Sequence, residues 1–305
     1  MPSKAIDGSA ISQEIRTELT AKVDSFRQAH GFAPRLAVVL VGSDPASQIY
    51  VKKKQEACAE VGISSYVVDP LPDIAKWQNP QARLEDMIRF LNTNDEVHGI
   101  LVQLPLPKPL NSHRVFDAID PKKDVDVFTP INVGLLVQGR PQFRPCTPHA
   151  VQQMLSRTGI PVAGKHVVVI NRSDVVGKPL SSMLIQDCDE FANATVTVCH
   201  DRTPPEVLRR LTKTADIVVV AVGKIGFLTK DMLSPGSVVI DVGINRRDGK
   251  VFGDVDPGCW EVASHISPVP GGVGPMTVTM LLENTLHAAQ LAVKNSPRTL
   301  KSAQL

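Results

Sequence analysis

The sequence predicts an α/β protein built from two domains, on three observations. Short runs rich in Val and Ile alternate with segments of helical spacing along most of the chain. The runs are apolar throughout and do not alternate in polarity, which is the character of strands buried on both faces of a parallel sheet. The alternation is interrupted once, by a proline-rich stretch from 105 to 149, and then restarts. A chain of 305 residues is also about twice the ~150 of a typical domain, so two domains with a boundary near Cys146 are expected.

The first strand is Leu36 to Val41 (LAVVLV), closed by the turn cluster Gly42-Ser43-Asp44-Pro45. A helix is expected from near Ser47 to before Gly62. Pro80 to Leu91 has helical spacing, with Leu84, Met87, Ile88 and Leu91 on one face. A second strand, Val97 to Leu104, stops at Pro105-Leu106-Pro107. The stretch 105 to 149 carries little periodicity and reads as loop-rich connecting structure, a common seat of function. Further strands are expected at Val167 to Ile170, Thr195 to Cys199, Ile217 to Val222 and Ser237 to Val242. The loop Ser267 to Pro275 then leads into a helix over Thr277 to Val293, followed by a polar tail from Lys294 that is expected to fray.

Composition narrows the class. Hydrophobic residues at 43% and charged residues at 21% are globular values, and the formal net charge of +2 argues against a nucleic-acid-binding surface. Five scattered cysteines without a C-x-x-C pair argue against a disulfide framework or a zinc site and suit a reducing compartment. Residues 1 to 12 lack the apolar core of a signal peptide, the final Ala303-Gln304-Leu305 lacks the basic residue of a peroxisomal address, and no run has the ~18 apolar residues of a membrane span. A cytoplasmic protein without a membrane partner is the expectation.

Lys165 to Leu184 reads as strand, tight polar turn and helix start, the order by which α/β proteins aim backbone N–H groups at a phosphate. The turn, Asn171 to Gly177, lacks the G-x-G-x-x-G pattern, so alone it is equally an ordinary βα loop. The next strand ends at Cys199-His200-Asp201-Arg202, where such sheets meet an adenosine ribose. Arg172 and Arg202 favour a 2′-phosphate there, whereas Asp201 favours a free 2′-hydroxyl, so NADP and NAD both stay open. The third strand ends in Ala221-Val222-Gly223, small residues that let a cofactor approach the backbone.

In the other half, Tyr50 and Lys54 lie four apart and share a helix face. The run Lys52-Lys53-Lys54 reads equally as a solvated face, and Tyr50 as a packing residue. Gln103 closes an apolar strand, either as a buried hydrogen-bonding plug or as a ligand contact. Asp124 and Asp126 flank Val125; metal binding lacks evident third and fourth ligands, and capping or turn chemistry is the competing reading.

Taken in order, Ser47-Gln48-Ile49-Tyr50-Val51 with Lys54, Val102 to Pro107, Lys123 to Asp126, Pro145 to Pro148, Arg172-Ser173 with Val176-Gly177 and Pro179, and Pro270 to Thr277 form six blocks. With them the chain resembles the bifunctional methylenetetrahydrofolate dehydrogenase/methenyltetrahydrofolate cyclohydrolase family over about residues 5 to 293. The resemblance implies an N-terminal α/β domain and a Rossmann-like dinucleotide-binding domain with a cleft between them. It places residues 1–146 plus 278–305 in a folate-binding catalytic domain and 147–277 in the NAD(P)-binding domain, because the final helix returns to the first.

The implied activity is oxidation of 5,10-methylenetetrahydrofolate to the 5,10-methenyl form with hydride transfer to NADP, then hydrolysis to 10-formyltetrahydrofolate. This is one-carbon chemistry of the kind that feeds purine biosynthesis. By resemblance Lys54 is the general acid/base, Gln103 its tuning partner, Asp126 the pterin-orienting acid and Tyr50 the stacking platform. Leu104, Pro270, Gly271 and Gly274 also meet the folate. Thr147, Arg172, Ser173, His200, Asp201, Val222, Gly223, Ile244 and Thr277 fall at or near the cofactor. No metal is implied, and a homodimer formed through the second domain is. A lysine works as a base only if desolvation or nearby positive charge lowers its pKa from ~10.4.

Four positions depart from the family pattern. Asn171 stands where a glycine is usual, and its tolerance of left-handed backbone is expected to preserve the turn. Val127 replaces the usual glycine after Asp126, which is expected to shift that loop. Ala150 replaces another glycine. Asp201 stands where serine is common in NADP-using members; Arg172 and a neutralising Arg202 still favour NADP. The competing readings are a monofunctional NAD-dependent dehydrogenase, a non-catalytic folate- or nucleotide-binding protein, and a generic hydroxy-acid dehydrogenase. Lys54, the Tyr50–Lys54–Gln103–Asp126 set and the 270–277 loop speak against them in turn.

Overall fold

A computed structural model describes residues 3–68, 78–188 and 191–294. The polar tail beyond Lys294 lies outside them. In chain order the elements are β1 (Lys4–Ala5), α1 (Gly8–His30), β2 (Arg35–Val39), α2 (Pro45–Glu60), β3 (Ser64–Val68), α3 (Pro80–Thr93), β4 (Gly99–Val102), α4 (Ser112–Asp117), α5 (Pro130–Val137), α6 (Cys146–Arg157), β5 (His166–Ile170), α7 (Gly177–Leu184) and β6 (Thr195–Cys199). They continue with α8 (Pro205–Lys213), β7 (Ile217–Val220), β8 (Val238–Asp241), β9 (Asn245–Arg247), β10 (Lys250–Phe252), β11 (His265–Ile266) and α9 (Val273–Lys294). Among the described residues no helix is long and apolar enough to cross a membrane.

The chain divides into two compact units. One contains Ile15–Gly134, Gln142–Arg144 and the residues from Leu281 onward. Its sheet has the order β3-β2-β4, all parallel, with Leu36 to Val39 opposite Gly99 to Val102 in register. A bridge between Ile100 and Asp124 carries the sheet one chain further, so Lys123 to Val125 also run parallel to β4. Leu84, Ile88 and Leu91 of α3 pack with Ala37, Val39, Ile100 and Val102, as their helical spacing predicts. The C-terminal carbonyls of α3 and the turn after it are held by Lys123, whose Nζ donates to the carbonyls of Leu91, Asn92 and Asn94 at 3.1, 2.7 and 2.8 Å.

The other unit contains Leu135–Pro141 and Pro145–Met280 with the N-terminal residues up to Glu14. Its sheet is parallel throughout, in the order β1-β11-β8-β7-β5-β6. Val168, Ile170, Val218, Val220 and Val239 sit in its core with Leu208 of α8. From β5 the chain passes to β6 on one side and then to β7 on the other. The gap between the carboxyl ends of β5 and β7 is therefore the topological switch point, where open α/β sheets take ligands.

The structure corrects two expectations. The stretch 105–149 is not simply loop: α4, α5 and the start of α6 lie in it. Its short helices escape periodicity because they run only six and eight residues in α4 and α5. The 23-residue α1, absent from the expected elements, buries Ile11, Ile15, Leu19, Val23 and Phe26 at helical spacing.

Candidate active site

In the unit that carries α2, the helix starts where β2 ends. Asp44 caps it, its carboxylate accepting from Ser47 N–H and Ser47 Oγ at 2.7 Å each, and Pro45 supplies a pre-set first turn. Four residues apart on this helix, Tyr50 and Lys54 share a face. Lys52 and Lys53 are exposed, and Lys52 lies 3.9 Å from Glu56, whereas Lys54 is partly buried. Lys54 Nζ donates to Gln103 Oε1 at 2.9 Å. Gln103 is held at both ends: its backbone N–H donates to Val39 O at 2.9 Å and its Nε2 to Leu104 O at 2.7 Å. With the amide nitrogen so committed, the oxygen is the atom left to face Lys54.

The two aspartates separate in role. Asp124 is buried and accepts from Phe128 N–H, Thr129 N–H, Thr129 Oγ1 and Asn132 Nδ2 at 2.7 to 3.0 Å. It is the organiser of the turn, the capping role. Asp126 follows it, partly exposed, and leaves the sheet at the same end as Gln103 because Lys123 to Val125 run parallel to β4. Between Asp126 and the buried turn sits Val127 with φ of 66°, a left-handed backbone at a β-branched residue. The loop therefore keeps the glycine-like conformation, and Val127 carries the strain.

In the other unit, the turn from Asn171 to Gly177 follows β5 beside the switch point. The Asn171 backbone is not left-handed, contrary to expectation. Its side chain shapes the turn instead. Asn171 Oδ1 accepts from Ser173 N–H, Ser173 Oγ and Gly177 N–H at 2.8, 2.7 and 2.9 Å, and Nδ2 donates to Ala221 O at 2.5 Å. The turn closes so tightly that a Cβ on Gly177 would stand 2.1 Å from Asn171 O.

At the end of β6, Arg172 Nη2 donates to Asp201 Oδ1 at 2.5 Å, and Arg202 Nε lies 3.4 Å from Oδ2. Desolvation is the largest single influence and raises the Asp201 carboxyl, but the hydrogen bond and charge of Arg172 and the charge of Arg202 together outweigh it and hold the group below the usual carboxylate range. His200 Nδ1 accepts from Arg202 N–H at 3.1 Å, which leaves the proton of a neutral ring on Nε2.

Thr147 Oγ1 and Thr277 Oγ1 lie 3.3 Å apart, and Ile244 is 46% exposed beside the start of β9. Pro270 is exposed, Gly271 has φ of 101°, and a Cβ on Gly272 would meet Pro268 O at 2.5 Å, so the loop into α9 needs its glycines. Gly274 opens α9.

Sequence reasoning missed Asp241 and Asp254, two buried acids beyond β7. Asp254 accepts the N–H groups of Val222, Gly223 and Lys224. The available signal was the pairing of each acid with nearby glycines, Gly243 and Gly253.

Comparison with known proteins gives the family. Residues 6–126 match the tetrahydrofolate dehydrogenase/cyclohydrolase catalytic domain, and residues 145–293 match the NAD(P)-binding domain of the same family. The bifunctional protein FolD of Rhodopirellula baltica is 52% identical over 302 residues, covering 95% of this chain and 98% of its own. The crystal structure of the bifunctional FolD methylenetetrahydrofolate dehydrogenase/cyclohydrolase of Campylobacter jejuni is similar with a TM-score of 0.88 and 44% identity, over 95% of this chain and 99% of that one. That of the Trypanosoma brucei N5,N10-methylenetetrahydrofolate dehydrogenase-cyclohydrolase (FolD), complexed with NADP and an inhibitor, has a TM-score of 0.87 and 36% identity, over 96% and 99%. The chain therefore belongs to the tetrahydrofolate dehydrogenase/cyclohydrolase family.

Proposed function

We propose that this protein is a bifunctional enzyme that oxidises 5,10-methylenetetrahydrofolate with NADP and hydrolyses the methenyl product to 10-formyltetrahydrofolate. The observation that carries the reading is the Lys54–Gln103 pair, a positioned amine that a dehydrogenase alone does not need. The family match supports both half-reactions.

The cofactor-side residues fit a dinucleotide. The 171–177 turn leaves no room for a Cβ at Gly177, and exposed Arg172 after β5 and Arg202 after β6 offer guanidinium donors to a phosphate. Arg172, Ser173 and His200 would hold the adenosine end, and Thr147, Ile244 and Thr277 the rest. When bound, the cofactor accepts the hydride. The folate side is this chain's own work. Tyr50 offers a flat apolar face to a ring system, and the Asp126 carboxylate accepts N–H groups of the pterin edge, which fixes orientation. Water adds to the methenyl carbon as Lys54 Nζ takes one of its protons, opening the C=N π bond to a carbinolamine. Lys54 then returns that proton to N5 as C–N5 breaks, and the carbinol O–H proton leaves to solvent as the formyl C=O forms, so one proton is released per turnover. Gln103 keeps the amine in place through this exchange. Within the same reading the functional division is 1–146 plus 278–305 for folate and 147–277 for cofactor, in a cytoplasmic homodimer.

The test is a paired absorbance assay with 5,10-methylenetetrahydrofolate, once with NADP and once with NAD, against an enzyme-free control. NADP-dependent oxidation with accelerated loss of the methenyl compound is the expected result. Oxidation with NAD alone and no acceleration would make it a monofunctional dehydrogenase, and no turnover with either would make it a binding protein.

A further inference from the structure

Beyond the carboxyl end of β7, three successive backbone N–H groups converge on one carboxylate. Val222 and Gly223 donate to Asp254 Oδ2 at 2.6 and 2.9 Å, and Lys224 donates to Oδ1 at 2.8 Å. Asn245 Nδ2 adds a fourth donor on Oδ1 at 2.9 Å. Successive N–H groups that point into one concavity form an anion nest, and this one sits at the switch point, where such folds receive phosphates. Here the anion is the protein's own and is fully buried. Asp254 is fixed from behind by Asp241, whose carboxylate accepts Asp254 N–H and Val255 N–H at 3.0 Å each and Gly243 N–H at 2.9 Å. Glycines clear the space: a Cβ at 243 would stand 2.3 Å from Asp254 Cγ, and one at 253 would stand 1.9 Å from Asp241 Oδ2.

We propose that Asp254 is a positioning residue for the dehydrogenase half-reaction, which by filling this nest holds the 222–224 turn in shape and closes it to phosphate. With all three N–H donors committed, the turn has only carbonyl acceptors to offer a ligand. Those acceptors suit a hydroxyl or amide N–H of the nicotinamide riboside half of the cofactor and repel its phosphates, which are left to the 171–177 turn and Arg172. The inference rests on the proposed function and adds to it a residue that meets neither substrate nor cofactor.

The experiment uses the whole enzyme. Asp254→Asn replaces one acceptor oxygen by an NH2 group that must face N–H donors, and an unsatisfied buried donor of that kind is expected to raise the KM for NADP about tenfold or more. Hydrolysis of 5,10-methenyltetrahydrofolate, measured without cofactor, is expected to stay within about twofold of wild type, as for a substitution away from the reacting groups. Asn245→Ala removes only the fourth donor and is expected to shift the NADP KM in the same direction by about two- to threefold. An equal fall in both activities of Asp254→Asn would make Asp254 merely structural and overturn the proposal. If Asp254→Asn does not fold, Asn245→Ala decides, and an unchanged NADP KM there overturns it. A wild-type enzyme without either activity would overturn the functional reading instead, and direct titration of NADP binding to the same proteins then still tests Asp254.

Discussion

Asn171→Ala separates two ways of building the switch-point turn, by backbone freedom or by side-chain hydrogen bonds. The substitution removes four bonds made by one amide. The two to Ser173 lie at an exposed residue, so water replaces them at little cost. The other two do not escape so easily: Gly177 itself is buried, and half-buried Ala221 follows β7. At about 1 kcal/mol for each, Asn171→Ala is expected to cost about 2 kcal/mol, which lowers the Tm of a unit this size by about 4 to 8 °C. Asn171→Gly should cost about 0.5–1 kcal/mol more, through backbone entropy, although glycine is the usual family residue there. Asn171→Asp keeps the acceptor and loses the donor to Ala221 O, and should fall between alanine and wild type. Thermal unfolding of the three variants by circular dichroism, with the KM for NADP measured alongside, checks the ranking. An Asn171→Ala protein within about 0.5 kcal/mol of wild type, with unchanged KM, would refute the reasoning.

Lys54→Met is expected to lower hydrolysis of the methenyl compound by about 10²- to 10⁴-fold, the usual range for a lost acid/base group, while folate binding by equilibrium dialysis is retained; hydrolysis near the wild-type rate would remove Lys54 from the mechanism. Asp201→Ser frees Arg172 and Arg202 for a 2′-phosphate and should lower the KM for NADP relative to that for NAD by about two- to fivefold, the modest scale of an exposed charge pair. An unchanged ratio would mean that the two arginines already cancel the aspartate. The Asp241 carboxyl is pushed up to about 6 by burial, with the charge of Asp254 acting in the same direction. The folded state then binds the extra proton between pH 4 and 6, so stability at this site falls as pH rises through that window and levels off above it. Relative to Asp241→Asn, which does not titrate there, wild type should lose about 2 kcal/mol between pH 4.5 and 7 in denaturant titrations. A flat difference would mean that Asp241 is ionised throughout.

Much of the site was legible because its residues lie at strand ends and on one short helix face. Tyr50 and Lys54 share a face by their spacing alone, and Gln103 closes a strand next to the one that α2 follows, so Lys54 and Gln103 come to the same end of a parallel sheet, where they pair. Arg172 and Asp201 are 29 residues apart, yet strand ends in a parallel sheet return to the same edge, and their pairing was foreseeable on that ground. Asn171 was not. The sequence suggested a special residue in the turn, but whether it worked through its backbone or its amide depended on Ala221 O, 50 residues away.

The α/β class, the parallel strands and the motif order can be read from the linear chain, because burial on two faces and helical spacing are written in consecutive residues. The order of the strands, the place of the switch point and the committal of the 222–224 N–H groups to Asp254 emerge only in the folded chain. A buried carboxylate must collect its donors from whatever backbone folds around it. Those donors are some 30 residues distant along the chain and adjacent only once the sheet has formed.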